Sequence, residues 1–281
     1  MRSDPPFSVL MACYHGDEPD QLRDSIRSVT VDQTRRPDEV VLVVDGPIPD
    51  ALDAEILHSY RTSHVPIVVH RLSANRGLGL ALNAGLEICR HEIVARQDAD
   101  DISMPERFER QLEAIEEGAD VVGSALREFT TDPDDPTDAG VVRTPPLRPE
   151  AISKDARFAQ PIFHPTVVYR RSLVQGVGGY EDLPSLEDYW LFARLIHAGA
   201  RFVNIEEPLV AYRIGAGAYA RRGGTRLLRS EIELQRRMRR LGFTSPAQFV
   251  RNVAVRGGYR LVPEELRRTA YRRILAQRAH R

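Results

Sequence analysis

Three aspartates, Asp98, Asp100 and Asp101, fall within four positions of the stretch EIVARQDADDISMPERF (92–108), directly after a short apolar run. Carboxylates crowded at this spacing repel one another. A hard divalent cation removes the repulsion: magnesium and manganese take one or two carboxylates together with substrate phosphate oxygens. The structural alternative is helix capping, because acidic side chains are favoured beside a helix N-terminus. Ser103 followed by Glu106 has the spacing of a capping box, with Pro105 in the first turn, so Ser103 is expected to fill the cap. Metal binding and capping both stay open on these residues, and Asp101 has the least defined task of the three.

Other residue types point to the same chemistry. Asp45 closes EVVLVVD (39–45) ahead of a turn, GPIPD. It is either a turn aspartate or a hydrogen-bond acceptor for a nucleobase or ribose. SANRGLGLALNAG (73–85) looks like a Gly-rich phosphate loop, but its dinucleotide fingerprint ends on Leu82 where Gly or Ala is required. A nicotinamide dehydrogenase is therefore disfavoured. A loop in which Asn75 and Gly77 approach a nucleotide closely is the simpler reading. His164, in FHPTVVYRR, suits a metal, a diphosphate or an acceptor, and equally a packed position near a strand start. Arg213 is suited to a diphosphate, because guanidinium pairs well with phosphate oxygens. Trp190 and Phe192 read as core or acceptor-groove packing.

These residues need elements to position them. FSVLMAC (7–13), EVVLVVD (39–45), VPIVVHRL (65–72) and EIVARQD (92–98) are strand-length apolar runs. They alternate with helical segments: Leu22, Ile26 and Val29 share one face, and 77–90 is a second helix. Such a βαβα rhythm predicts a mainly parallel, Rossmann-like sheet flanked by helices, with ligands beyond the carboxyl ends of the strands. Asp45, Asp98, Asp100 and Asp101 all lie at such ends. A helix from Ser103 to about Glu117, a strand at 120–126, a mobile loop at 130–150, a strand in PTVVYRR, a helix in LEDYWLFARLIHAGA and a strand pair in ARFVNIEEPLVAYR follow. The chain after Gly224 is mostly helical, interrupted at VRGGYRLVP.

Composition narrows the class. Two cysteines, Cys13 and Cys89, give no disulfide framework, so a reducing, cytoplasmic setting is expected. No signal peptide is apparent, and no apolar window reaches the ~20 residues of a membrane span. The net charge of −1 hides a division. Residues 225–281 carry 15 arginines against four glutamates, while the remainder holds 24 basic and 36 acidic groups. A basic tail on an acidic body is either a solvated helical face or a surface for an anionic partner.

In this order the pieces resemble the family 2 glycosyltransferases, inverting enzymes with the GT-A fold. SVLMACYHGD, VVLVVDG, NRGLGLALNAG, RQDADD and LEDYWLFARLIHAG carry the resemblance over about residues 7–214, and FHPTVVYRR and EPLVAYR look like segments of bacterial surface-polysaccharide members. The resemblance implies an α/β catalytic domain over 1–220, with a nucleotide-binding half (about 1–101) and an acceptor half (about 102–220), and a basic helical extension over 221–281. It implies a nucleotide-sugar donor, most simply a UDP-sugar, and a glycan or polyprenyl-linked acceptor, with no nucleic acid partner. Asp98-Ala99-Asp100 matches the family's DxD, Asp100 holding Mn2+ or Mg2+ on the donor diphosphate and Asp98 supporting it, with His164 a further metal candidate. Ala12, Tyr14, His15, Asp45, Asn75, Gly77 and Arg213 fall in the nucleotide-sugar pocket. Glu187-Asp188 matches the family's ED pair, Asp188 as catalytic base, although both also suit a helix N-terminus. Some relatives follow the YR of Arg213 with a histidine, which is absent here; Arg221 and Arg222 are possible substitutes. The implied setting is cytoplasmic, with the basic tail against anionic lipid at the inner face of the cell membrane. The rivals are a nucleotidyltransferase, whose Gly-rich loop after the first strand is missing, and a catalytically silent nucleotide-sugar-binding module.

Overall fold

A computed structural model of the chain describes residues 5–134, 140–214 and 224–261. The alternation expected from sequence is present: β1 (Phe7–Cys13), α1 (Pro19–Thr30), β2 (Glu39–Val44), α2 (Asp50–Thr62), β3 (Ile67–Arg71), α3 (Leu78–Ile88) and β4 (Ile93–Asp98). A short β5 (Ile102–Ser103) and α4 (Arg107–Glu116) precede a second group, β6 (Val121–Phe129), β7 (Val142–Arg143), α5 (Pro149–Asp155), β8 (Val168–Arg170), α6 (Arg171–Gly176), α7 (Glu187–His197) and β9 (Phe202–Arg213). Helices α8 (Thr225–Arg240), α9 (Pro246–Asn252) and α10 (Gly258–Leu261) end the described chain.

The strands form one sheet in the order β3-β2-β1-β4-β8-β6-β9-β5, with β7 paired to β6. β3, β2, β1 and β4 run parallel, as do β6 and β9, whereas β8 and β5 pair antiparallel to their neighbours. The fold is thus the α/β, mainly parallel arrangement that the sequence predicts. Successive residues of a strand point to opposite faces. Val9, Val40, Leu42, Ile93 and Ala95 pack with α1, α2 and α4, and Leu10, Val41, Val43 and Val94 pack with α3, α6 and α7. By this parity Arg96 and Asp98 point to the α3–α7 side of β4, and Gln97 to the α1–α4 side.

Four local expectations are corrected. Ser103 is not a cap: α4 begins at Arg107 behind Glu106, with no side-chain cap. Pairing with Val210 of β9 draws Ser103 into β5, and its hydroxyl donates to Gln97 Oε1 at 2.9 Å. The expected strand pair at 200–213 is a single twelve-residue strand, whose register shifts opposite Ser124–Leu126 absorb the Glu206-Glu207-Pro208 irregularity. The 130–150 segment, of which 135–139 lie outside the described residues, supplies β7 and the start of α5. VRGGYRL does not break the helix, because a π-helical segment, Val253–Gly257, carries α9 into α10.

The expected boundary at 220/221 lies outside the described residues. Beyond it, Leu227, Leu234 and Met238 of α8 share an apolar cluster with Leu186, Tyr189, Trp190 and Ala193 around α7. The extension therefore packs directly on the helix that begins with Glu187 and Asp188. Among the described residues no helix is long and apolar enough to cross a membrane.

Candidate active site

The aspartate turn at the end of β4 is held from the α1–α4 side of the sheet and from β9. Ser25 of α1 donates to the Asp98 carbonyl at 2.7 Å, and Gln97 Nε2 donates to the Asp101 carbonyl at 2.7 Å. Arg213 Nε donates to the Asp100 carbonyl at 2.9 Å, and its guanidinium stacks 4.4 Å from the centre of the Phe129 ring. Beneath the turn Arg107 is fully buried, donating to Gln97 Oε1 (2.6 Å), Ser103 Oγ (2.8 Å) and the Arg96 carbonyl (2.7 Å). With only neutral acceptors on these bonds, burial and the nearby Arg96 push the Arg107 guanidinium down to about 9. This network fixes the backbone from which the carboxylates project.

The three aspartates have different tasks. Both oxygens of Asp98 accept from the guanidinium of Arg96, whose residue is 2% exposed. Burial and the Asp98 charge push the Asp100 carboxyl up to about 6. Asp101, the least defined in the sequence, is completely buried. Its Oδ1 accepts from the Arg213 N–H at 2.9 Å, tying the turn to β9, while Oδ2 has no partner. Burial together with Asp98 and Asp100 raises its carboxyl well above the usual range.

Next along the sheet edge, Ala12 pairs in register with both Asp98 and Val43. The Tyr14 N–H donates to Asp17 Oδ2 at 2.9 Å, and the Tyr14 and His15 rings meet edge to face at 5.1 Å. Asp17 is pushed up to about 7, mainly by burial, with Asp100 and Asp98 adding to the shift. Asp45 is also buried; its Oδ1 and Oδ2 accept from the N–H groups of Arg76 (2.7 Å) and Gly77 (2.9 Å), and its carbonyl accepts from Asn75 Nδ2 at 3.2 Å. Gly77, at φ +85°, turns the loop into α3 with open space in front of its Cα. Asp45 therefore organises the loop that contains Asn75 and Gly77, whatever else it binds.

The first turn of α7 faces this edge. A Cβ on Gly79 would lie 3.3 Å from Glu187 Cγ, so the small residue in α3 admits the Glu187 side chain. Burial and the charge of Asp188 push Glu187 up to about 7. Asp188 accepts from the Tyr189 N–H at 2.6 Å through Oδ1 and from the Gln160 side-chain amide through Oδ2. Burial nevertheless raises its carboxyl. Ser185, one residue ahead of the Leu186 N-cap of this helix, is the only non-glycine at positive φ (65°) among the described residues, a strained position in the turn that leads into α7.

His164 belongs to the Asp188 group. Its Nε2 lies 2.9 Å from the Tyr180 hydroxyl and its Nδ1 3.9 Å from Asp188 Oδ2. Burial and Arg96 hold it well below its usual range, hence neutral. Among the described residues no three His, Cys, Asp or Glu side chains form a metal-holding group, so His164 is not gathered with Asp98 and Asp100 into a three-ligand set. Those two aspartates still offer hard oxygen donors whose crowding a cation would relieve, which fits magnesium or manganese held jointly with a diphosphate. Arg221 and Arg222 lie outside the described residues. A separate groove of about 470 Å³ between α2 and β3, lined by Asp53, Leu57, Tyr60 and Arg71, contains none of these groups.

Sequence reasoning missed Arg96, Asp17, Gln160 and Tyr180. Arg96 carried one signal, a charge inside an apolar strand; the others are ordinary residues until the chain folds.

The model of the family described as "Glycosyl transferase family 2" matches residues 8–178. The chain belongs to that family. It is 34% identical over 273 residues to the Escherichia coli UDP-Gal:alpha-D-GlcNAc-diphosphoundecaprenol beta-1,3-galactosyltransferase, covering 96% of this chain and 97% of the relative. Among solved structures, Staphylococcus aureus TarS 1–349 in complex with UDP-GlcNAc superposes with a TM-score of 0.66 at 19% identity, over 89% of this chain and 70% of that one. The Pyrobaculum calidifontis mannosyltransferase PcManGT, in complex with GDP-Man and Mn2+, gives 0.65 at 17% identity, over 99% and 76%. The fold of this family 2 chain is accordingly GT-A, and the protein is a glycosyltransferase.

Proposed function

We propose that this glycosyltransferase moves a sugar from a UDP-sugar to a glycan or lipid-linked acceptor, with inversion at the anomeric carbon. The observation that carries the reading is the placing of two acidic groups at one sheet edge: the Asp98–Asp100 turn at the end of β4, and Glu187–Asp188 at the start of α7. Their charges reach one another, since Asp98 adds to the rise of Glu187. The similarity to an E. coli enzyme named for a UDP-Gal donor and a diphosphoundecaprenol acceptor supports the donor and acceptor classes.

In this reading Asp98 and Asp100 would hold Mn2+ or Mg2+; a fold relative, PcManGT, was solved in complex with GDP-Man and Mn2+. The bound cation supplies charge neutralisation for the departing nucleoside diphosphate. Asp45, Asn75 and Gly77 line the nucleotide, with Ala12, Tyr14 and His15 beside it, and Arg213 adds positive charge near the diphosphate. Asp188 takes the proton from the acceptor hydroxyl as it attacks. Gln160 and the Tyr189 N–H fix both of its oxygens, and its raised pKa makes it a better base than an exposed aspartate. Neutral His164, 3.9 Å away, leaves Asp188 without an ion-pair partner on that side.

A thermal-shift panel of UDP-, GDP- and dTDP-sugars with Mn2+ identifies the donor, because a true ligand stabilises the fold by mass action. Product formation with a lipid-linked acceptor then tests transfer. Nucleotide binding without turnover of any nucleotide sugar would overturn the enzyme reading in favour of a silent binding module. Asp100→Asn is expected to weaken Mn2+-dependent UDP binding; unchanged affinity contradicts its role. The basic extension is proposed to rest on anionic lipid, each basic residue near the surface contributing ~1 kcal/mol. A chain ending at Leu261 keeps α8 and loses six of the 15 tail arginines. Vesicle sedimentation equal to that of the full chain would count against this contact.

A further inference from the structure

One buried charge in the site is not used by the proposed chemistry. Arg96 sits in β4 two residues before Asp98, on the same face of the strand. Its two terminal nitrogens donate to the two Asp98 oxygens, and its Nε has no partner. The residue is 2% exposed, and its backbone carbonyl is held by Arg107 at 2.7 Å, so the side chain is anchored below the site and closed off from solvent. Its charge also reaches Tyr180, Asp101, His164, Glu187 and Asp188. One buried guanidinium thus balances carboxylates on both sides of the proposed reaction centre.

We propose that Arg96 is a positioning residue that holds Asp98 in the ligand-free enzyme and stops a divalent cation from settling on the aspartates without the donor diphosphate. This rests on the reading of Asp98 and Asp100 as donor-side metal carboxylates. A free cation nearing Asp98 meets a fixed positive charge already bonded to both oxygens it needs. Repulsion between charges at such range is large where water is excluded. A nucleoside diphosphate brings negative charge that offsets it, so cation and nucleotide bind with strong mutual enhancement, which is reciprocal by linkage. Arg96 also places positive charge near both Asp98 and Asp188 when nothing is bound.

The test measures Mn2+ binding to the full chain by electron paramagnetic resonance of the free ion, with and without UDP. Wild type is expected to bind Mn2+ at least about tenfold more tightly with UDP present. Arg96→Gln is expected to bind Mn2+ alone about tenfold more tightly than wild type, shrinking the UDP enhancement. Arg96→Lys keeps the charge without the two-point grip, and its Mn2+ affinity should lie between the two. A merely structural arginine would instead weaken Mn2+ and UDP binding together. Circular dichroism checks that each variant is folded; if Arg96→Gln is not, Arg96→Lys decides, by tightening or failing to tighten Mn2+ binding. Unchanged or weaker Mn2+ binding in the folded variants overturns the proposal. Asp98→Asn and Asp100→Asn separate the two claims. If they leave Mn2+-dependent UDP binding intact, the metal reading fails and takes the proposal with it. If they abolish it while the Arg96 variants bind Mn2+ like wild type, only the role of Arg96 fails.

Discussion

The protein buries carboxylates in two places and treats them in opposite ways. In the C-terminal helices Glu231 is completely buried, and each of its oxygens is fully used. Oε1 accepts from Arg256 Nε (2.6 Å) and Gln235 Nε2 (3.1 Å), and Oε2 from Arg256 Nη2 (3.1 Å) and Arg260 Nη2 (3.0 Å). Despite its burial, these partners hold Glu231 below the usual carboxylate range. At the sheet edge five acidic residues, Asp17, Asp100, Asp101, Glu187 and Asp188, are all pushed upward, burial being the largest cause each time. Arg96 is bonded there to Asp98 alone. A structural carboxylate is given more positive charge than it carries, whereas the sheet-edge group, the working one in our proposal, is left short, and the shortfall is what a cation or a substrate proton can fill.

The largest effect that would sharpen this contrast is kinetic. Asp188→Asn should lower kcat by about 10³-fold, the range of a lost general base, with nucleotide-sugar affinity unchanged. Loss of donor binding in parallel would move Asp188 from the chemistry to the pocket. Next comes Glu231→Gln, which leaves Arg256 and Arg260 buried without their counter-charge. It should cost about 3 kcal/mol of stability, read as a fall in unfolding midpoint, with little change in the kinetics of the folded fraction. The stability that Glu231 provides is present above its unfolded pKa of about 4.5. It is lost as pH falls through the depressed folded value.

The smallest effect has the opposite sign. Glu187 is held at about 7 in the folded chain, above the ordinary glutamate value of 4.5, so the native state binds the proton more tightly than the unfolded chain. Its contribution is favourable below about 4.5 and is lost as pH rises through about 7. Glu187→Gln should therefore stabilise the ligand-free protein by about 1 kcal/mol at pH 7.5, after allowing for solvent screening, and by almost nothing at pH 4.5. A variant that loses stability at both values would place Glu187 with the paired, structural class.

Much of the first half was legible because its signals are local. Periodicity gave β1 to β4 with α1 and α3, though not α2, and parallel topology then fixed Asp45 and Asp98 at carboxyl ends. The errors arose where a distant strand intervened. Ser103 has the residue type and spacing of a cap, but β9 recruits it into β5, and no pattern within a few residues of Ser103 reports that pairing. The partners of His164, Tyr180 and Asp188, are likewise distant, 16 and 24 positions away in the chain. The pairing of Ser103 with Val210 moves the helix start to Arg107, so neither Ser103 nor the aspartates cap α4.

By itself the sequence determined the succession of strands in the first half, the family, and which acidic groups are candidates, because hydrophobic period and motif order are properties of neighbouring residues. Only the tertiary structure decided how those groups divide. It joined Asp98 to Arg96, gave Asp101 to the backbone of Arg213, and set Gln160 and His164 around Asp188. The physical reason is that charge and proton affinity depend on burial and on partners within a few ångströms, and these partners come from segments that only the packed sheet brings together.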